Sequence, residues 1–580
     1  MSAFVTEGKS SQLLLLTPSD VCLLCLCMCR PRVKAGCTLP RPLGISQAMV
    51  GHKRPRIFDP SDSDSDVASA AGAARQPASN DGQVTQPKTT AGDRPASMCV
   101  PAETLVAGTC GGGISTSSAL ETSSALEFEA PPWPAFVRES LAPRLENLGP
   151  QLRDILVITA FSGLASIMQA LKDLQISARE LVAAEPKVWA HKFCRRNNLL
   201  AEHVFLDVRS LVATGSGTCI KHGHCKMQAE RADLVVMGFP CRPYSGARTG
   251  SHIPENVMEH DDFQYGREAV RFILKTKPRA GLLENVIKFS QDHGGTSKSS
   301  DHEITNFCED LCADLRASNF HVRWMRLDLN PWVRANSARI YIFFVDGDVG
   351  LESTVSEATK LAQFIQDRRR QHAPVTLRSY CLSPSCQQWI RESARLLENG
   401  ESQAQGVAEG AWTKQASVLR EKQGWQGDPW TQPPPGVVRP QLRGCSKTNR
   451  TKEITNLGFF WGAKNVGLDP SNVANRSLIT KDLICDPTQN PCRHPWGTNL
   501  RRMTRVSRPY IYEKDRCMFP LEGYRAYGWQ NPCLEGLTDD EAWDLLGDSM
   551  ALQTLGVAVS ALLCSLGERL PGLWRGQRAS

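Results

Sequence analysis

At 580 residues, with 41% hydrophobic and 22% charged side chains, the chain is too long for one compact core. Its composition is too ordinary for a protein that is disordered or membranous throughout. Basic residues outnumber acidic ones by only seven, 67 against 60, and 21 cysteines is both an odd count and far below the density of a secreted disulfide scaffold. A reduced, intracellular, multi-block protein is expected.

Residues 12–29 are rich in Leu and Cys, but Thr17-Pro18-Ser19-Asp20 splits them into runs well short of the ~20 apolar residues a spanning helix needs. No membrane helix is expected there, and Arg30, Arg32 and Lys34 follow the apolar run instead of preceding it as in a secretory signal. From 1 to 131 the chain is dominated by Ser, Ala, Gly, Thr and Pro, with the acidic run Asp59-Pro60-Ser61-Asp62-Ser63-Asp64-Ser65-Asp66, so a disordered low-complexity tail is expected. Lys53-Arg54-Pro55-Arg56 is a compact basic cluster of the kind read by nuclear import receptors, which makes the nucleus the expected compartment.

From Asp154 onward short β-branched runs alternate with segments of helical period, the pattern of βαβ units. Strands are predicted at 155–161, 181–184, 204–206, 234–237, 281–283 and 340–345, with helices such as 188–197 and 267–275 between them. The block 150–349 is therefore an open α/β sheet. Between 350 and 515 the pattern decays into Pro, Gly, Gln and Trp, with Pro433-Pro434-Pro435 and tryptophans at 389, 412, 425, 430, 461 and 496. In the window 365–455 there are 14 basic against 8 acidic residues, so most of the chain's positive surplus is local. A second cluster, Arg501, Arg502, Arg505 and Arg508, follows Trp496. Such a region beside an α/β sheet is the electrostatic footprint expected for nucleic acid, the bland alternative being a solvated basic face.

Open α/β sheets bind ligands at the carboxyl ends of their strands. Phe161-Ser162-Gly163 closes the first strand, where Gly permits a tight turn and the next helix offers backbone N–H groups. Glu185 ends the second strand, at the position from which an acid commonly binds a ribose diol, and Asp207 ends the third. The fourth runs into Gly238-Phe239-Pro240-Cys241-Arg242-Pro243-Tyr244-Ser245, which puts a thiol on a loop stiffened by two prolines, with Arg242 as its adjacent cation. The fifth ends in Glu284-Asn285-Val286, bringing a carboxylate to the same edge.

Pro-Cys-x-Pro-Tyr-Ser followed by Glu-Asn-Val resembles the cytosine-5 DNA methyltransferases. The resemblance implies a Rossmann-like methyltransferase fold that uses S-adenosylmethionine, with Cys241 attacking C6 of a flipped cytosine, Glu284 hydrogen-bonding N3 and the exocyclic amine, and Arg339 holding the base at its carbonyl. It assigns Pro240, Ser245, Asn285 and Arg339 to the substrate. Phe161, Ser162, Gly163, Leu164, Glu185, Pro186, Asp207, Val208, Pro240, Ser549 and Met550 go to the cofactor. The resemblance covers about 150–349 and 517–566, where Glu522 to Trp529 and Gly547-Asp548-Ser549-Met550 are similar to family segments, so 350–515 becomes a target-recognition insertion and 516–570 a return to the catalytic domain. The chain departs from the family where Thr159 stands for an Asp, Ala165 and Ser166 for two glycines, Ala335 and Ser337 for Gln or Arg, and Asp548 for Asn.

Cys219-x2-His222-x-His224-Cys225 has ligand types that suit zinc, but its spacing is cramped for four ligands on one ion. A polar insertion loop without metal is expected there, and no zinc module is expected from Cys381, Cys386, Cys485 and Cys492, although their residue type would allow one. The expected activity is methylation of cytosine C5 in DNA. The alternatives are the same chemistry on transfer RNA and an inactive nucleic-acid-binding regulator.

Overall fold

The computed structural model describes residues 132–569 apart from 149–151, 153, 228–230, 246–252, 293–305, 399–415, 423, 425–447 and 490–494. The tail through 131 with its basic cluster, Trp412, Trp425, Trp430, the prolines at 433–435 and Cys492 lie outside the described residues.

Ile155–Ala160 (β1) is apolar and mostly buried along its whole length, as a strand covered on both faces must be. It sits within a nine-stranded sheet formed with Ala178–Ala184 (β2), His203–Phe205 (β3), Ser216–Cys219 (β4), Gly223–Lys226 (β5), Leu234–Met237 (β6), Ala280–Val286 (β7), Phe320–Asp328 (β8) and Ala338–Asp346 (β10), while the two-residue Ala335–Asn336 (β9) stands apart. The order is β5-β4-β3-β2-β1-β6-β7-β10-β8. The run β3-β2-β1-β6-β7 is parallel and both edges are antiparallel. Since β1 lies between β2 and β6, the strand order reverses there, and the carboxyl ends of β1 and β6 flank the crevice that such a reversal opens.

All six predicted strands are present, three of them, β2, β7 and β10, longer than predicted. Two features depart from expectation. Residues 216–226, read as a polar loop, form the β4–β5 hairpin, whose turn Gly223 closes with a φ of +78°. Phe320–Asp328, whose charged and apolar residues hide a strand, pairs along its length with β10.

One face of the sheet carries the helices Ser166–Asp173, Val188–Arg196, Glu352–Arg370 and Leu552–Arg569; the other carries Val208–Thr214, Gln264–Thr276 and Phe307–Ala317. The stretch Asp539–Gly567, which includes most of the helix Leu552–Arg569, holds a window apolar enough to span a bilayer by composition, yet that window is buried inside this core. Gly556 lets Trp133 lie against it, since a Cβ there would come within 2.1 Å of the indole. Glu352–Arg370 packs on β8, β10 and the same helix, so the layer that covers the large sheet extends past the boundary expected at 349. Beyond it a second, smaller core gathers Leu419, Ile454, Leu457, Leu483, Trp496, Tyr510 and Tyr512 around the helix Asn449–Val466. Ile484–Cys485 (β11), Trp496–Gly497 (β12), Tyr510–Ile511 (β14) and Arg516–Cys517 (β15) form its sheet, and Leu500–Arg501 (β13) pairs instead with β9. Trp496 is thus a core anchor and has no face free for a nucleic-acid base. Cys381 belongs to the large core and Cys485 to the small one, so the four-cysteine zinc module does not assemble among the described residues.

Glu180 is a buried acid in β2 whose Oε1 accepts a hydrogen bond from Thr159 Oγ1 at 2.6 Å. Burial pushes its carboxyl up to about 7, against the smaller pull of that hydrogen bond. A raised folded-state value stabilises the protein fully below the ordinary carboxylate range and the contribution is lost as pH rises through about 7. Glu180→Gln is therefore expected to be more stable than the parent at pH 8, by about 3 kcal/mol at most, and nearly neutral at pH 4, as read from denaturant midpoints at the two pH values.

Candidate active site

The apolar β6 ends at Met237, and the chain turns at once through Gly238 and Pro240. Tyr244 N–H donates to Cys241 O at 3.1 Å and Ser245 N–H to Arg242 O at 3.3 Å, which closes the loop on itself. The Tyr244 ring, buried against Phe239, Phe289 and Phe307, anchors it from below. Asn285 Nδ2 donates to Phe239 O at 3.3 Å, tying the loop to β7. Cys241 is left half-buried at the crevice. Arg242, the cation the sequence puts beside it, points away towards Asp262 at 3.8 Å. The cation at the sulfur is Arg502, whose Nη2 donates to Cys241 Sγ at 3.3 Å.

Glu284 lies opposite Tyr341 in the β7–β10 register, and Arg339, two residues from Tyr341, shares that face on the diagonal. Arg339 Nε meets Glu284 Oε1 at 2.7 Å. A methyl group placed on Gly238 would come within 3.3 Å of Glu284 Oε2 and 3.5 Å of Met550 Sδ, so these three residues line one wall. Burial pushes the Glu284 carboxyl above its usual range, and Arg339 and then Arg502 restrain the rise. Burial lowers Arg502, as does the like charge of Arg339, while Cys241 opposes both. Thiol, carboxyl and two guanidinium groups therefore converge on one space, with Tyr527 beside both arginines. Arg502 Nε and Tyr527 Oη are buried without a hydrogen-bond partner among the described residues, donors that an occupant of the space could satisfy.

Arg502 was not legible as a site residue, because its placement depends on a long-range pairing. Strand β13 lies parallel to β9, with Leu500 against Ala335 and Arg501 against Asn336, and carries the following residue over the Pro-Cys loop. Gly547 admits the next turn of this strap: a Cβ there would lie 2.3 Å from Arg505 N. Arg505 pairs with Asp544 and Asp548, and Arg508 pairs with Asp540 and covers the Trp543 ring. Of the arginines expected to face nucleic acid, Arg505 and Arg508 are thus engaged within the protein, where they fasten the strap, and Arg502 is engaged with the thiol. Asp548 also binds Lys187 Nζ at 2.5 Å, joining the turn Gly547 to Met550 to the segment after β2.

At the end of β1, Phe161, Gly163 and Ala165 have φ of +55°, +50° and +53°. Gly163 N–H donates to Glu185 Oε2 at 2.8 Å, and Lys187 N–H to Oε1 at 3.1 Å, fixing the acid at the end of β2 beneath the turn. Burial pushes the Glu185 carboxyl up, and the two backbone donors oppose it. A side chain on Gly163 would meet nothing within 4 Å, so the turn borders open space. Asp207 is exposed and caps the helix Val208–Thr214 by accepting from Arg209 N–H and Ser210 N–H. Phe161 and Ser162 are half-buried and Pro186 is exposed at the same crevice, whereas the Leu164 and Val208 side chains are buried in the two cores and leave only backbone for a ligand. Ser549 Oγ donates to Leu546 O at 2.8 Å and is committed to its own turn. Open space over a glycine turn with an acid on each of two neighbouring strand ends fits a nucleoside-bearing cofactor.

Two outcomes follow. A hydrogen bond to a charged group contributes roughly 1.5–3 kcal/mol, so Arg502→Ala is expected to slow iodoacetamide alkylation of Cys241 by about tenfold or more, read by peptide mass spectrometry with unchanged circular dichroism. Ala165 occupies a left-handed position that disfavours a Cβ, and Ala165→Gly is expected to raise stability by about 0.5–1 kcal/mol after the entropic cost of glycine, measured by urea unfolding.

Residues 155–332 match the family model described as C-5 cytosine-specific DNA methylase. No curated protein sequence matches the chain. Among solved structures it is similar to the Dnmt2 methyltransferase of S. pombe, at 15% identity and a TM-score of 0.36, covering 70% of this chain and 98% of that one. It is also similar to the Entamoeba histolytica methyltransferase EhMeth, at 12% identity and a TM-score of 0.35, covering 71% and 98%. A DNMT2 mutant of Spodoptera frugiperda matches at 11% identity and a TM-score of 0.34, covering 70% and 99%. With the match to the family model spanning β1 through β8, the chain carries a C-5 cytosine-specific DNA methylase domain, whose methyl donor is S-adenosylmethionine.

Proposed function

We propose that the protein methylates C5 of cytosine in DNA, with Cys241 as nucleophile. The observation that carries this reading is the convergence of Cys241 Sγ and the Glu284 carboxyl, each held by an arginine, at the ends of adjacent parallel strands. S-adenosylmethionine, when bound, supplies an electrophilic methyl group. Gly163, Glu185 and Asp207 would hold it, with Phe161 and Met550 at the walls.

Cytosine C5 is a poor nucleophile until sulfur adds to C6. Cys241 Sγ forms that bond as its proton passes to solvent, and Arg502, whose Nη2 donates to the sulfur, faces the negative charge that develops there. Glu284, with its carboxyl raised by burial, is suited to donate a hydrogen bond to N3 as electron density moves into the ring. Arg339 fixes Glu284 and faces the base carbonyl, while Asn285, Pro240 and Ser245 keep the loop in place. After methylation the C5 proton passes to a solvent water, and the C5–H electron pair forms the C5–C6 double bond as the C6–S bond breaks, which restores the Cys241 sulfur. A base inside a duplex is out of reach, so the target is extruded. DNA is favoured by the DNA methylase family model and by the positive surplus in 365–455; the cluster Lys53 to Arg56 favours work in the nucleus.

Purified full-length protein is expected to methylate duplex DNA and to form a covalent adduct with DNA containing 5-fluorocytosine. Cys241→Ser is expected to abolish the adduct, and Glu284→Gln to lower kcat by about 10²–10⁴-fold with DNA binding retained. Activity on transfer RNA alone would overturn the choice of substrate, and a Cys241→Ser protein that still forms the adduct would overturn the mechanism.

A further inference from the structure

Outside the crevice, the far edge of the sheet brings together four side chains that the proposed chemistry does not use. One ligand atom from each of His203, Cys219, His222 and Cys225 lies within 4.8 Å of all the others. Cys219 Sγ is 3.6 Å from His222 Nδ1, and the rings of His203 and His222 have centroids 4.9 Å apart. We propose that these four residues bind one zinc ion in a closed Cys2His2 site that clips the β4–β5 hairpin to β3.

The sequence spacing is cramped only if all four ligands come from 219–225. The sheet supplies the fourth from elsewhere. Phe205 pairs with Cys219, and His203, two residues from Phe205, shares its face; in the hairpin, Gly217 pairs with Cys225 and Cys219 with Gly223, which sets the two cysteines on one diagonal. His222 enters from the turn. His224, opposite Thr218, is exposed and lies outside the cluster, so the ligand set differs from the linear motif by the exchange of His224 for His203.

Zinc bonds of about 2.3 Å to sulfur and 2.0–2.1 Å to nitrogen place tetrahedral ligands about 3.3–3.8 Å apart. The Cys219–His222 separation already meets that spacing. The widest separations need contraction by about 1 Å or slightly more, within the reach of side-chain rotation on a short ribbon. His203 Nδ1 is buried with no hydrogen-bond partner among the described residues, an orphan for which the fold itself offers no partner. Both thiols are free. Two thiolates and two neutral imidazoles cancel the charge of Zn²⁺ and leave no open coordination position, so the site is structural. The need is local: β3 and β4 share a single register pair, and β4 and β5 have four residues each.

The test uses the full-length protein purified without added chelator. Metal analysis is expected to find one zinc per chain, and replacement by cobalt to give the thiolate-to-metal charge-transfer absorption of a tetrahedral site. Cys225→Ser and His222→Gln are expected to weaken zinc binding at least tenfold in competition with a chromogenic chelator, while His224→Ala leaves it unchanged. Cys225 is only half-buried, so its variant is expected to fold; circular dichroism checks this, and His203→Gln provides an independent arm. A chain without zinc, zinc retained by both ligand variants, zinc lost on His224→Ala, or a Cys219–Cys225 disulfide in its place would each overturn the proposal.

Discussion

Two guanidinium groups withdrawn from water beside one carboxyl and one thiol set the terms for the rest of the molecule. Burying a cation costs several kcal/mol unless an anion is held against it with good geometry. Arg339 meets Glu284 at 2.7 Å, and Arg502 meets Cys241 Sγ at 3.3 Å. The first pair is built into the sheet by a diagonal register. The second must be delivered from more than 250 residues away in sequence, and the structure spends a parallel strand pair, a glycine without room for a Cβ and an ion-pair cluster on the delivery. The sulfur thereby gains a cationic neighbour that the Pro-Cys loop does not supply, since Arg242 is turned to Asp262.

The same economy explains the degenerate first turn. Where a glycine is expected, Ala165 keeps the left-handed conformation with a Cβ, and the Phe161 that the family shares is left-handed too, its ring packed edge-on against Tyr265 at 5.2 Å. Each left-handed residue with a Cβ costs on the order of 1–2 kcal/mol, which the surrounding contacts must over-determine. They do: Phe161 N–H is held by Ala184 O and Gly163 N–H by Glu185. The turn's shape survives the loss of its usual residues because hydrogen bonds to the end of β2 define it.

How much of this was legible in the sequence divides along the range of the interactions. Strands β1, β6 and β7 declare themselves through short apolar runs, and their ends carry motifs whose chemistry can be read in place. Cys241 and Glu284, named from those motifs, follow neighbouring strands, and Arg339 reaches Glu284 at 2.7 Å. Arg502 looks like one of four arginines in a basic cluster, and nothing local separates the one that reaches the thiol from those that fasten the strap. The β8 strand, FHVRWMRLD, is partly exposed and mixes charge with apolar residues, so its period is masked until β10 supplies a partner. His203 shows the same limit, since it joins Cys219 only across a sheet edge. Local chemistry was visible, and what hydrogen-bond register brings together was not.

The strap couples two properties usually assigned to separate regions. Residues 484–517 build the small core's sheet, and β13 lies within that stretch, so the backbone that shapes the small domain also carries Arg502 to Cys241. A shift that slides β13 along β9 by one residue would reverse the face its side chains present, because strand side chains alternate. Arg502 would then leave the sulfur, and Arg505 would leave Asp544 and Asp548 on the turn that also positions Met550 beside Glu284. The nucleophile and the wall that faces Glu284 are therefore completed by one segment in one register. A docked small domain is a condition of the assembled site, and the arginine that reports its docking is the one that contacts the thiol.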